Sequence, residues 1–176
     1  MQKYLPDYIS DSIFDIDYDK LYDMGIRGLA FDIDNTLIEM NNDDLHHKAI
    51  SLIGSLKNKG FALCILSNAS KKRTAMIGEM LEMEYIHRAF KPSQKGFIKA
   101  RLLMNLPKEK CVMIGDQMFT DVLGGNKAGF LTIMTKIIDN NEAFNIRIKR
   151  IFEKVVMKKF ERKIKKIWSD SVLREM

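Results

Sequence analysis

Apolar positions along this chain follow two alternating patterns. Short, largely apolar runs at Ile26–Asp32, Phe61–Leu66, Cys111–Ile114 and Phe130–Met134, and a weaker one at Ile86–Phe90, predict buried strands. Between them apolar residues recur at helical spacing. Leu45, Ala49, Leu52, Ile53 and Leu56 predict a helix over Asp43–Lys59, capped by Asn42 or Asp43 and ended by Gly60. Further helices are predicted over Lys71–Met83 and Gly96–Met104, with a short helical or turn segment over Thr120–Ala128 that Gly124-Gly125 weakens. The turn Met24-Gly25 leads into the first strand. Strands alternating with helices in this way predict an α/β fold, a three-layer, doubly wound parallel sheet. Ligands bind such sheets at the C-terminal strand edges.

The polar residues that interrupt the pattern all follow strands. Asp32 and Asp34 follow the first, Ser67 the second, Lys91 the third and Asp116 the fourth, with Asp121 just beyond. Taken singly each has an ordinary structural explanation. Asp32-Ile33-Asp34-Asn35 and Gly115-Asp116 are good turn sequences, Ser67-Asn68-Ala69-Ser70 is a helix N-cap, and Lys91-Pro92 is an extended dipeptide. Together, at successive strand ends, they bring acids suited to a hard divalent cation beside a hydroxyl and an ammonium suited to phosphate oxygens. A phosphate monoester needs both at one point.

These residues resemble, in order, the four motifs of the haloacid dehalogenase superfamily of phosphatases: Asp32-Ile33-Asp34-Asn35-Thr36, Ser67-Asn68, Lys91-Pro92 and Gly115-Asp116-Gln117-Met118-Phe119-Thr120-Asp121. The extended last motif, through Asn126, and the opening Leu5-Pro6-Asp7 with Ser12-Ile13-Phe14-Asp15-Ile16 are similar to the YqeG-type subgroup (class IIIA), related to the phosphatidylglycerophosphatases. The resemblance spans roughly residues 3–136. It implies a Mg²⁺-dependent phosphoric monoester hydrolase working through an aspartyl-phosphate. Asp32 is then nucleophile and metal ligand, and Asp34 is general acid and base, reaching the metal through its backbone carbonyl. Thr36 braces Asp34 at the phosphate-binding side. Ser67 and Lys91 hold the phosphoryl oxygens with help from Asn68. Asp116 binds the metal, and Asp121 supports the metal or Lys91.

Spacing narrows the substrate. Thirty residues lie between Thr36 and Ser67 and 23 between Ser67 and Lys91, too few in either gap for a cap domain. The crevice is therefore expected to be open, with no lid to exclude water. Uncapped relatives by resemblance act on bulky substrates, and a phospholipid monoester such as phosphatidylglycerophosphate is the most specific expectation.

Charge adds a second region. Arg147–Trp168 holds ten Lys or Arg and two Glu, a local charge of +8 in a chain of +6, so the remainder is 6 − 8 = −2. A basic amphipathic helix is predicted over Glu142–Trp168, dividing the chain into a phosphatase domain, 1–140, and a helical tail, 141–176. Three roles compete for the tail. It docks on the domain by its apolar face, a reading that suits its first half best; it lies on anionic membrane through 146–168; or it binds RNA or the ribosome, with phosphatase activity secondary. Cys64 and Cys111 fall inside apolar runs and read as buried thiols. His46-His47 reads as a solvated pair, since adjacent helical residues diverge. No signal-peptide core or membrane-length apolar run is present, and a cytoplasmic protein, peripheral at the inner face of the membrane if the tail binds lipid, is expected.

Overall fold

The computed structural model describes residues 2–37 and 43–136. Six parallel strands form one sheet: β1 (Tyr8–Ser10), β2 (Gly28–Phe31), β3 (Ala62–Leu66), β4 (Glu84–Ile86), β5 (Cys111–Gly115) and β6 (Leu131–Thr135), in the order β1-β6-β5-β2-β3-β4. Five helices connect them: α1 (Tyr18–Asp23), α2 (Asp43–Asn58), α3 (Lys71–Met80), α4 (Gln94–Leu103) and α5 (Leu123–Ala128). This is the doubly wound α/β fold expected from the sequence.

Strand alternation divides the core between the two faces. On one face Leu29, Phe31, Leu63, Ile65, Val112 and Ile114 pack with Ile53 and Leu56 of α2, Ile77 of α3 and Leu21 of α1. On the other, Ala30, Cys64, Leu66 and Met113 pack with Phe97 and Ala100 of α4 and with Phe130. Phe97 meets Phe130 edge-on, with ring centroids 5.7 Å apart. Central strands buried on both faces produce the continuous apolar runs seen in the sequence.

Most boundaries fall within two residues of expectation, and three departures have a visible cause. Helix α3 stops at Met80, not at the predicted Met83, because the chain turns left-handed at Glu82 (φ 50°) and the Met83 N–H closes onto Gly78 O at 2.8 Å. Strand β4 is Glu84–Ile86 rather than the predicted Ile86–Phe90, since Arg88 and Phe90 both have positive φ and leave the sheet. The segment after β5 winds as a π-type turn, Met118–Val122, before α5 begins. The Gly124-Gly125 pair does not break α5. A Cβ on Gly124 would lie 2.5 Å from the Phe97 ring, and one on Gly125 would lie 2.6 Å from Thr132 Cγ2, so the pair lets α5 sit close on α4 and the sheet.

Strand β1 and helix α1 were not foreseen as elements. β1 is three residues long, too short for a periodic signal, and pairs at the sheet edge with Ile133–Thr135. The possible cap Asn42 and the tail 141–176 lie outside the described residues, as does the side chain of His46; His47 is exposed.

Candidate active site

The sheet order sets the site. β5, β2, β3 and β4 are adjacent and parallel, so their C-terminal ends form one edge. Phe31 is level with Ile114 on one side and Ile65 on the other, and the Asp32 N–H continues the ladder onto Ile114 O at 2.9 Å. Asp32 thus leaves β2 beside the ends of its two neighbours.

Lys91 lies at the centre of the site. Its side chain is 2 % exposed, and its Nζ sits 2.6 Å from both Asp32 Oδ1 and Asp121 Oδ1. Asp116, fully buried, completes a group with Asp32 and Asp121 in which one carboxylate oxygen of each lies within 4.8 Å of the others. If all are ionised, three carboxylates and one ammonium leave a charge of −2. Buried charge of this kind requires a partner. Asp32 registers it: burial, the largest influence, pushes its carboxyl up to about 7, with Lys91 pulling down and Asp121 and Asp34 pushing further up. Burial works against the Lys91 ammonium, but Asp121 and Asp32 more than offset it and hold its pKa above the usual lysine range. Oxygen-only donors, clustered and carrying excess negative charge, fit a hard divalent cation.

Local structure holds these groups in place. Asp121 arrives from the π-type turn; its N–H donates to Gln117 O at 2.9 Å, and its Oδ2 accepts from the Gln117 N–H at 3.0 Å. Gly115 makes room for it, since a Cβ there would lie 2.5 Å from the Asp121 carboxyl. Ser67, 1 % exposed, accepts from the Ala69 N–H at 3.1 Å. Both ends of the Asn68 amide engage the Lys91 backbone: Oδ1 accepts from the Lys91 N–H at 2.8 Å, and Nδ2 donates to Lys91 O at 3.2 Å. Asn68 therefore fixes the Lys91 backbone. The buried Thr36 Oγ1 makes no hydrogen bond among the described residues, so bracing of Asp34 by this hydroxyl is not seen.

Asp34 stands apart from the carboxylate group. Its side chain is 46 % exposed, and Oδ1 accepts from Arg73 Nε at 3.1 Å and Nη2 at 2.6 Å. Sequence reasoning missed Arg73. It lies in the first turn of α3, whose N-cap Ser70 accepts from the Arg73 N–H. The only available signal was a basic residue at a helix start, where the macrodipole disfavours it.

Both gaps that could hold a cap are filled by ordinary elements among the described residues: α2 and β3 before Ser67, α3 and β4 before Lys91. No helix among the described residues is long and apolar enough to cross a membrane.

Comparison with known proteins agrees with this geometry. Residues 39–129 match the family model described as haloacid dehalogenase-like hydrolase. The chain is 36 % identical over 160 residues to the probable phosphatase YqeG of Bacillus subtilis, covering 91 % of this chain and 93 % of that protein. It is 28 % identical to the chloroplastic and mitochondrial phosphatidylglycerophosphate phosphatase 1 of Arabidopsis thaliana, with 84 % of this chain but 45 % of that protein aligned. A phosphatase of the same superfamily from Thermococcus onnurineus superposes with a TM-score of 0.53 at 15 % identity, over 68 % of this chain and 90 % of that one, a likeness of fold. The chain belongs to the haloacid dehalogenase-like hydrolases, and within them it is a phosphatase.

Proposed function

We propose that the protein hydrolyses a phosphate monoester through a phosphorylated Asp32, with Mg²⁺ as cofactor and phosphatidylglycerophosphate as substrate. The observation that carries this reading is the buried group of Asp32, Asp116 and Asp121 around Lys91 at one sheet edge. The plant relative's name and the open crevice support the lipid substrate.

Asp32, Asp116 and Asp121 would hold the cation, with the Asp34 carbonyl as a further oxygen. When bound, Mg²⁺ supplies charge neutralisation at the phosphoryl oxygens. Lys91 and the Ser67 hydroxyl orient those oxygens in line with Asp32. An Asp32 oxygen attacks phosphorus, the bond to the ester oxygen breaks, and Asp34 gives that oxygen its proton. Asp34, now a carboxylate, takes a proton from water. The resulting hydroxide attacks the aspartyl-phosphate, releasing inorganic phosphate and restoring Asp32. Both Arg73 bonds fall on Asp34 Oδ1, which supports proton transfer through Oδ2 in this reading. Residues 1–140 form the phosphatase domain in this reading, and the tail, 141–176, brings it to anionic membrane.

The test is phosphate release from p-nitrophenyl phosphate and from short-chain phosphatidylglycerophosphate, with Mg²⁺ or with a chelator. Acid quenching with labelled substrate should trap a hydroxylamine-sensitive phosphoryl group that Asp32→Asn lacks. Turnover that ignores the chelator would remove the cofactor from the scheme. Removing 141–176 should weaken binding to anionic vesicles; RNA co-purification that high salt abolishes would favour nucleic acid as the tail's partner instead.

A further inference from the structure

An uncapped crevice leaves the choice of substrate to its rim. The loop from β4 to Lys91 has features that the hydrolytic scheme does not use. Phe90 is 75 % exposed, the largest value among the exposed large apolar residues described, and it directly precedes the phosphate-binding Lys91. Arg88, two residues earlier, is also exposed. Arg88 (φ 44°) and Phe90 (φ 54°) both occupy the left-handed region, which bulky residues rarely enter.

The backbone explains how this conformation is held. The Arg88 N–H donates to Ala69 O at 3.1 Å, the Ala89 N–H donates to Ser67 O at 2.9 Å, and Phe90 O accepts from the Ser93 N–H at 2.8 Å. Ala89 between them is 4 % exposed and packs against Gly96, where a Cβ would come within 2.9 Å of it. The loop is therefore pinned by its backbone and by one small buried side chain, while the two large side chains face outward. Neither is needed to close the core. With Asn68 and Lys91 they line a pocket of about 560 Å³, which therefore shares two residues with the site.

We propose that Arg88 and Phe90 form a leaving-group subsite, selecting monoesters whose leaving group carries a second anionic group beside an apolar chain. The inference deepens the phosphatase reading above and rests on it. A guanidinium pairs with a phosphodiester or similar oxyanion in a bidentate, charge-assisted contact. An exposed phenyl ring beside it covers hydrocarbon, or enters the surface of a lipid aggregate. Lys91 is taken up by Asp32, Asp121 and, in the scheme above, the transferred phosphoryl group, so Arg88 is the cation lining this pocket that is left for a second anion. Simple sugar phosphates lack both features, and p-nitrophenyl phosphate lacks the second anionic group that Arg88 would bind.

The test uses the full chain with Mg²⁺ and substrates that separate the two contacts. Glycerol 3-phosphate has one anionic group, and glycerophosphoglycerol phosphate adds a phosphodiester without acyl chains. Dihexanoyl phosphatidylglycerophosphate below its critical micelle concentration adds the chains. Wild type should prefer the second to the first by about tenfold or more in kcat/KM, expressed mainly in KM. Arg88→Gln should bring that ratio close to one, and Arg88→Lys should keep part of it. Phe90→Ala should remove the preference of the third over the second, while Phe90→Leu keeps most of it. Circular dichroism and the melting temperature check that these surface variants fold. Ratios near one in wild type, or ratios that survive the substitutions, overturn the subsite. If p-nitrophenyl phosphate is still hydrolysed in that case, the phosphatase reading stands alone; if no monoester is hydrolysed, both fall.

Discussion

Two polar clusters belong to the same sheet and differ in one respect. Around Thr132, near the start of β6, Asp7 Oδ2 accepts from the Thr132 N–H at 2.8 Å and from its hydroxyl at 3.0 Å, while the Asp7 N–H returns a bond to Thr132 O at 3.1 Å. Asn126 Oδ1 lies 3.2 Å from the same hydroxyl, and its Nδ2 donates to Lys3 O and Leu5 O, both at 2.9 Å. Every polar group here finds a partner within the chain, and Asp7 itself is exposed. Around Lys91, Asp32 and Asp121 share one ammonium in a buried space, with the buried Asp116 carboxylate close to both acids. The first cluster is complete and ties the N-terminal segment to the sheet. The second gathers more negative than positive charge among the described residues. A complete polar network specifies structure, whereas an incomplete one at a strand edge marks a place for a ligand.

That contrast can be broken by substitution, and the largest effect should come at Asp32. Asp32→Asn removes the nucleophile, and phosphate release should fall by about a thousandfold or more. Residual activity within tenfold of wild type would show that the charged cluster does not perform the chemistry. Next is Lys91→Met, which deletes the ammonium that bridges Asp32 and Asp121; breaking a buried pair costs about 3–5 kcal/mol. Thermal melting in chelator should show this loss, and Mg²⁺ should return part of it. The same Mg²⁺ dependence should be absent from Thr132→Val. That variant removes the hydroxyl from the complete cluster and should cost about 1–3 kcal/mol whether or not metal is added. If Mg²⁺ rescued Thr132→Val as well as Lys91→Met, the distinction between the clusters would collapse.

Smaller effects sharpen the picture. Arg73→Gln should lower kcat about threefold to tenfold, more for alkyl phosphates than for p-nitrophenyl phosphate, whose leaving group needs little protonation. Its melting temperature should barely move, because exposed ion pairs contribute about 0–1 kcal/mol. The smallest effect is expected at the thiols. Burial pushes Cys64 up to about 12 and Cys111 to about 11, against an ordinary 9.0. A raised thiol pKa shrinks the thiolate fraction at pH 8, so both should resist a disulfide reagent until the chain unfolds. Reaction of either thiol in folded protein with activity intact would show that the core beside β2 opens.

The parts of this fold legible in the sequence were those with a repeated signal. The central strands read as apolar runs because both faces are buried, and α2 read as a helix because Ala49, Ile53 and Leu56 line one side. β1 and α1 carried too few residues to repeat anything. The end of α3 and the start of β4 were set by a left-handed residue, Glu82, that no apolar spacing reveals. At the site, Asp32, Ser67, Lys91, Asp116 and Asp121 were legible because acids, a hydroxyl and an ammonium followed successive strands. Asn68 was legible as a site residue, but its hold on the Lys91 backbone was not.

By itself, then, the sequence determined the order of elements and the residue types delivered to the strand ends, since both follow from local periodicity and from where that periodicity stops. Only the tertiary structure decided how those residues pair. Lys91 bridges Asp32 and Asp121, Arg73 takes Asp34, and Arg88 and Phe90 turn outward beside Lys91. These relations join residues far apart in the chain. They depend on strand order, on burial that makes charge costly, and on close approaches such as Asp121 over Gly115, none of which has a signature in linear spacing.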